Sequence, residues 1–157
     1  MQYTHRLTLV FTSLILSSCA GVGPLPTPSG YPEVTIDSTN TKRIKELLLA
    51  HFASDGFAVV QDTEYTLNVT KPLEGSAAVL YQVALGNAYS STPQANISVT
   101  IAPLGSATKV YGHIAVGMQG AFGQNQGTNL DRGKAGRELQ SVLDQLKAQV
   151  EASSHTE

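Results

Sequence analysis

The chain has 157 residues, 41% of them apolar and 14% charged, with a formal net charge of −2. That is enough for one domain with a hydrophobic core and too little for two, and it excludes intrinsic disorder for the body of the protein. Lys and Arg total ten and lie scattered, so the basic footprint that phosphate contacts require is missing and no nucleic-acid partner is expected.

The opening segment carries His5 and Arg6 and no acidic side chain, and Leu7 to Leu16 form an apolar run. The run has the length of a signal-peptide h-region and falls short of the roughly 20 residues that span a bilayer. It ends in Leu16-Ser17-Ser18-Cys19, and Cys19 is the only cysteine of the chain. Here the sequence resembles bacterial lipoprotein precursors, whose lipobox is an aliphatic residue, two small residues and the cysteine that becomes the mature N-terminus. The resemblance covers only the signal segment. It implies signal-peptidase recognition through Leu16, Ser17 and Ser18 and lipidation of Cys19, whose thiol forms a thioether to diacylglycerol. The freed amine of the cysteine then takes a further chain such as palmitate. Each buried CH₂ contributes about 0.8 kcal/mol, and two or more acyl chains hold a protein stably on a lipid bilayer. Ser18-Cys19-Ala20 also fits ordinary secretory cleavage, and that alternative stays open. By resemblance to sorting in enteric bacteria, Ala20 and Gly21 in place of an aspartate direct the protein to the periplasmic leaflet of the outer membrane.

These features divide the chain into a signal peptide (1–18), a lipidated cysteine with a tether (19–33), one domain (34–152) and a frayed tail (153–157). The tether "AGVGPLPTPSGYPE" holds four prolines and three glycines. Proline pins the backbone near polyproline II, so the segment is expected to be semi-rigid, reaching at most ~43 Å. A loop packed against the domain is the competing reading.

"VTID" from Val34 alternates as a strand does, and "STNT" supplies helix caps. Ile44, Leu47, Leu48, His51 and Phe52 then share one helical face over 42–54, with Gly56 as the stop. "FAVVQ" and "YTLNVT" predict two strands around Asp62-Thr63-Glu64. Residues 71–94 are ambiguous between a short helix, "SAAVLYQVAL", and a loop. "ANISVTIA" and "KVYGHIAVGM" predict a long antiparallel hairpin, with Ile97, Val99 and Ile101 on one face of the first strand. Val110, Ile114, Val116 and Met118 form the apolar face of the second. After a glycine-rich loop, Ala135, Leu139, Val142, Leu143, Leu146 and Val150 mark a helix over 132–152.

The expected order is β-α-β-β-(α/loop)-β-β-α, an α+β two-layer sandwich with a mostly antiparallel sheet covered by two amphipathic helices. In element order alone it is similar to small envelope lipoproteins, including the outer-membrane lipoprotein of lipopolysaccharide assembly and accessory lipoproteins of secretion machines.

No catalytic constellation stands out. "GTNLDRGKA" (127–135) resembles a phosphate-binding loop but has one residue too many before Gly133-Lys134 and Ala135 where Ser or Thr would hold Mg²⁺; an ordinary strand-to-helix loop is expected. His51 and His113 have no ligand partners at metal-site spacing, so no metal or other cofactor is expected. Glu33 with Asp37, and Asp62 with Glu64, read as solvated edges. The candidate partner contacts are Tyr81 and Tyr89 in the ambiguous connection and Phe122 in the glycine-rich loop. The expected function is that of a non-enzymatic, membrane-anchored envelope lipoprotein that packs against other envelope proteins. The alternatives are an accessory lipoprotein of a conjugation or secretion assembly, and a carrier of lipid or another apolar ligand between sheet and helices.

Overall fold

Among the described residues, two of the three helices turn their apolar stripes to the same face of a single antiparallel sheet, giving the α+β sandwich that the patterning predicts. The computed structural model describes residues 23–85, 90–120 and 123–154. Its elements are β1 (Glu33–Ile36), α1 (Thr41–Ser54), β2 (Ala58–Asp62), β3 (Thr66–Pro72) and α2 (Gly75–Leu85). They continue with β4 (Gln94–Leu104), β5 (Ala107–Gln119), β6 (Asn125–Asn129) and α3 (Lys134–Ser154).

Local chemistry sets the boundaries. Asn40 caps α1, its Oδ1 accepting from the Arg43 amide at 3.0 Å. Gly56, at φ 81°, turns the chain out of the helix towards β2. Gly105, at φ 61°, supplies the positive φ for the tight turn between Leu104 and Ala107, the last pair of the β4–β5 ladder.

The sheet order is β1-β5-β4-β3-β2, and β6 joins the same edge of β5 as β1. β1 takes Thr108–Tyr111 and β6 takes Ala115–Gln119, so the two short strands share one long neighbour end to end. Register places Leu67 opposite Val99, and Val110 between Val34 and Ile101. These side chains meet Ile44, Leu48 and Phe52 of α1 and Leu139, Leu143, Leu146 and Val150 of α3 in one buried cluster. Full burial of each such aliphatic residue contributes about 1.5–3 kcal/mol. α3 lies close on β5: a Cβ at Gly112 would stand 2.8 Å from Leu139 Cδ2. Among the described residues this cluster packs the layer between sheet and helices, and the cleft between α1 and α3 beside it holds about 60 Å³.

The structure decides two points that the sequence left open and departs from it at two others. The connection over 71–94 takes the helical alternative, as α2. Half of the glycine-rich loop is strand β6, whose residues Asn-Gln-Gly-Thr-Asn carry no apolar alternation to reveal it. Residues 24–32 are not extended: Leu25 is 6% exposed, and Gly30 N donates to Thr27 O in a turn. Glu33 is no solvated edge; it is 4% exposed, with the Lys109 ammonium 3.1 Å from its carboxylate. Burial alone would raise that carboxyl. Lys109 and the Ser29 amide outweigh it and hold the group below its usual range.

Candidate functional site

Side chains alternate across a strand, so burying Ile97, Val99 and Ile101 turns Asn96, Ser98 and Thr100 to the uncovered face of the sheet. Register sets these beside Thr70, Asn68 and Thr66 of β3 and Ala115, His113 and Tyr111 of β5. β6 then adds Asn129, Gly127 and Asn125 opposite Ala115, Gly117 and Gln119. The result is a face of amides and hydroxyls over a floor of small residues.

Two adjoining depressions follow from this floor. One, of about 720 Å³, lies over Gly117 and Gly127 and is bordered by Gln94, Asn96, Gln119 and Asn125. The other, of about 330 Å³, is bordered by Val60, Asn68, Ser98 and His113. They share Asn96, Ala115 and Asn129, and so form one trough. Its polar side chains hold one another in place. Asn68 Nδ2 donates to Gln61 Oε1 at 2.7 Å, Thr70 Oγ1 to Asn96 Oδ1 at 2.9 Å, and Asn96 Nδ2 to the Gln94 carbonyl at 3.2 Å.

The titratable group bordering the trough is His113, whose side chain is 56% exposed. It is oriented by Asp131, which is fully buried where β6 gives way to α3. The Asp131 carboxylate accepts from the Ile114 amide at 2.7 Å, from Asn129 Nδ2 at 2.8 Å and from His113 Nδ1 at 2.9 Å. A carboxylate only accepts, so Nδ1 is the donor of this pair and carries a proton. Ser98 stands opposite His113 across β4 and β5, with no hydrogen bond between the two. The arrangement is an oriented imidazole beside a row of amides and hydroxyls.

The N-terminal segment reaches this rim. The Tyr31 ring lies 5.9 Å from that of His113, and Arg132 stacks 5.1 Å from the Tyr31 centroid while donating to its hydroxyl at 3.1 Å. The stretch 127–135, weighed in the sequence as a phosphate-binding loop, is a strand end, an Asn129–Asp131 turn and a helix start. The Asp131 amide donates to Asn129 Oδ1 at 2.8 Å in that turn.

Of the residues singled out from the sequence, Leu16, Ser17, Ser18, Cys19, Tyr89 and Phe122 lie outside the described residues. Tyr81 sits half-buried on α2, away from the trough. Sequence reasoning singles out the polar strand face of Asn96, Ser98 and Thr100 as a candidate contact surface, but misses Asp131 and the neighbouring strands that make that face a trough. An Asn two residues before an Asp ahead of a helix was the available signal for the turn. Nothing local marks the Asp as the partner of a histidine 18 positions earlier.

Among the described residues no group of three His, Cys, Asp or Glu side chains converges as a metal site, and no helix is long and apolar enough to cross a membrane. Comparison with protein-family models, curated proteins and solved structures finds no match to this chain.

Proposed function

We propose that the chain is a membrane-anchored bacterial envelope lipoprotein, held in the outer membrane by acyl chains on Cys19, whose domain acts by binding another envelope protein. The anchor rests on Leu16-Ser17-Ser18-Cys19 at the end of the apolar run. The observation that carries the binding role is the trough on the uncovered sheet face. A solvated sheet face is ordinarily strewn with Lys and Glu, whereas no charged side chain occurs between Glu74 and Lys109. Asn, Gln, Ser and Thr over a floor of Ala115, Gly117 and Gly127 suit a partner that brings its own peptide groups and few charges. The role needs no catalytic step.

Two measurements test the reading separately. Cells expressing wild type and Cys19→Ala are labelled with a tagged palmitate and fractionated; label and outer-membrane recovery are lost together in the variant. Unlabelled, soluble wild-type protein would refute the anchor. A photo-crosslinking residue is then placed in cells at Asn96 or Gln119 in the trough, and at Ala148 on the exposed side of α3 as control. A discrete adduct from the first two alone supports the interaction face. Equal yields from all three sink it.

A further inference from the structure

Helix α2 is built the wrong way round for a helix of a water-facing domain. A surface helix ordinarily turns its apolar stripe to the core and its polar side to water. In α2, Val79, Leu80 and Val83 are 64%, 66% and 79% exposed, and no residue of the helix is fully buried. At 100° per residue these three fall on one arc with Ala77 and Ala84, both also exposed. The opposite arc, Ala78, Tyr81, Gln82 and Leu85, is half-buried, and Gln82 Nε2 reaches the Ser90 carbonyl at 3.4 Å. The helix therefore gives its amide to the domain and Val79, Leu80 and Val83 to the outside. It contains no charged side chain at all.

We propose that the outward face of α2 lies on the lipid bilayer, in the interfacial layer where acyl chains meet headgroups. The inference rests on the lipid anchor proposed above, and chain length is what favours lipid as the occupant. Leu25 is already docked on the domain, and Gly23 stands two residues before it. Only four peptide steps separate an acylated Cys19 from Gly23, a reach of about 14 Å. A domain tied that closely meets the bilayer continually, so a small apolar patch is enough to settle its orientation. An uncharged apolar arc is the kind of surface that sinks to the acyl boundary. Tyr81, at the flank of that arc, would stand at headgroup level, where an aromatic ring with a hydroxyl is at home.

The chain has no tryptophan, so a single indole reports its own surroundings. The acylated full-length protein carrying V83W is reconstituted into vesicles of phosphatidylethanolamine and phosphatidylglycerol, with and without brominated acyl chains. A second variant, V60W, places the indole at an exposed apolar position of β2, 66% exposed in wild type and off the helix. The V83W emission should move to shorter wavelength and be quenched by brominated lipid about threefold more strongly than that of V60W. Equal quenching of the two, in protein that floats with the vesicles, overturns the inference and leaves the anchor standing. Protein that does not float refutes the anchor, and the orientation with it. A covalent dimer formed from a photo-crosslinker at position 83 in the same vesicles would assign the face to a second copy, and also overturns the inference.

Discussion

Replacing Gly136 by alanine looks stabilising on helix propensity, since Ala is about 1 kcal/mol better than Gly inside a helix. The structure reverses the sign. A Cβ at position 136 would lie 1.7 Å from the Asp131 carbonyl oxygen and 2.3 Å from its carbonyl carbon. Both are backbone atoms, so no side-chain rotation relieves the overlap. Either the first turn of α3 or the 129–131 turn has to move by more than an ångström. The turn resists, because Asp131 is held through three donors and through its own amide. The helix start is tied in turn by the Gly136 amide, which donates to the Leu130 carbonyl at 3.2 Å. Losing that backbone bond costs about 1 kcal/mol, and losing one donor to a buried carboxylate costs about 1.5–3 kcal/mol. Against the propensity gain, Gly136→Ala should destabilise the protein by about 2 kcal/mol, lowering Tm by roughly 4–8 °C. Thermal unfolding followed by circular dichroism decides it. An unchanged or raised Tm would show that the turn yields freely, and that the buried carboxylate is not the rigid point described above.

Further outcomes follow from the same contacts. Asp131→Asn keeps the shape but sets an amide nitrogen among three donors, so urea unfolding should show a loss of about 2 kcal/mol. In the same variant the His113 ring loses its carboxylate acceptor, and crosslinking from Ser98 to the proposed partner should weaken. The Glu33 carboxyl is held below its ordinary value in the fold, so its stabilising contribution is complete above the unfolded value and is lost as pH falls through the folded one. Glu33→Gln should therefore flatten the fall of the urea midpoint below about pH 4.5 while lowering the midpoint at neutral pH. A variant with the wild-type acid slope would refute the pairing with Lys109.

The elements with a strong apolar period were legible because burial wrote them. The α3 stripe and the Ile97–Ile101 alternation need no partner to be recognised, and both face the core. β6 escaped because its five residues are polar or glycine and are held by backbone pairing to Ala115–Gln119, a partner that hydropathy does not see. α2 stayed ambiguous because Val79, Leu80 and Val83 face away from the domain while Tyr81 and Leu85 face it, so no polar side marks a helical period. The trough is a property of register. Thr70, Asn96 and Ala115 come together only once three strands are aligned, although the polar side of β4 was readable by itself. The Glu33 carboxylate misled for a related reason: its counter-charge, Lys109, comes from the middle of the sheet and not from its own neighbourhood.

The way the sheet finishes at its sides has a consequence for how copies of the chain meet one another. One side ends in β2, five residues long and broken by a bulge between Val59 and Gln61. The other is divided between β1 and β6, which meet along β5 instead of forming one border. Unpaired strand borders are templates for fibrous growth, and long, flat ones are the dangerous kind. Here neither border offers another chain more than a short or kinked length to pair with. Copies of the chain brought to high local density can thus display a wide polar sheet face without zipping together along its margins.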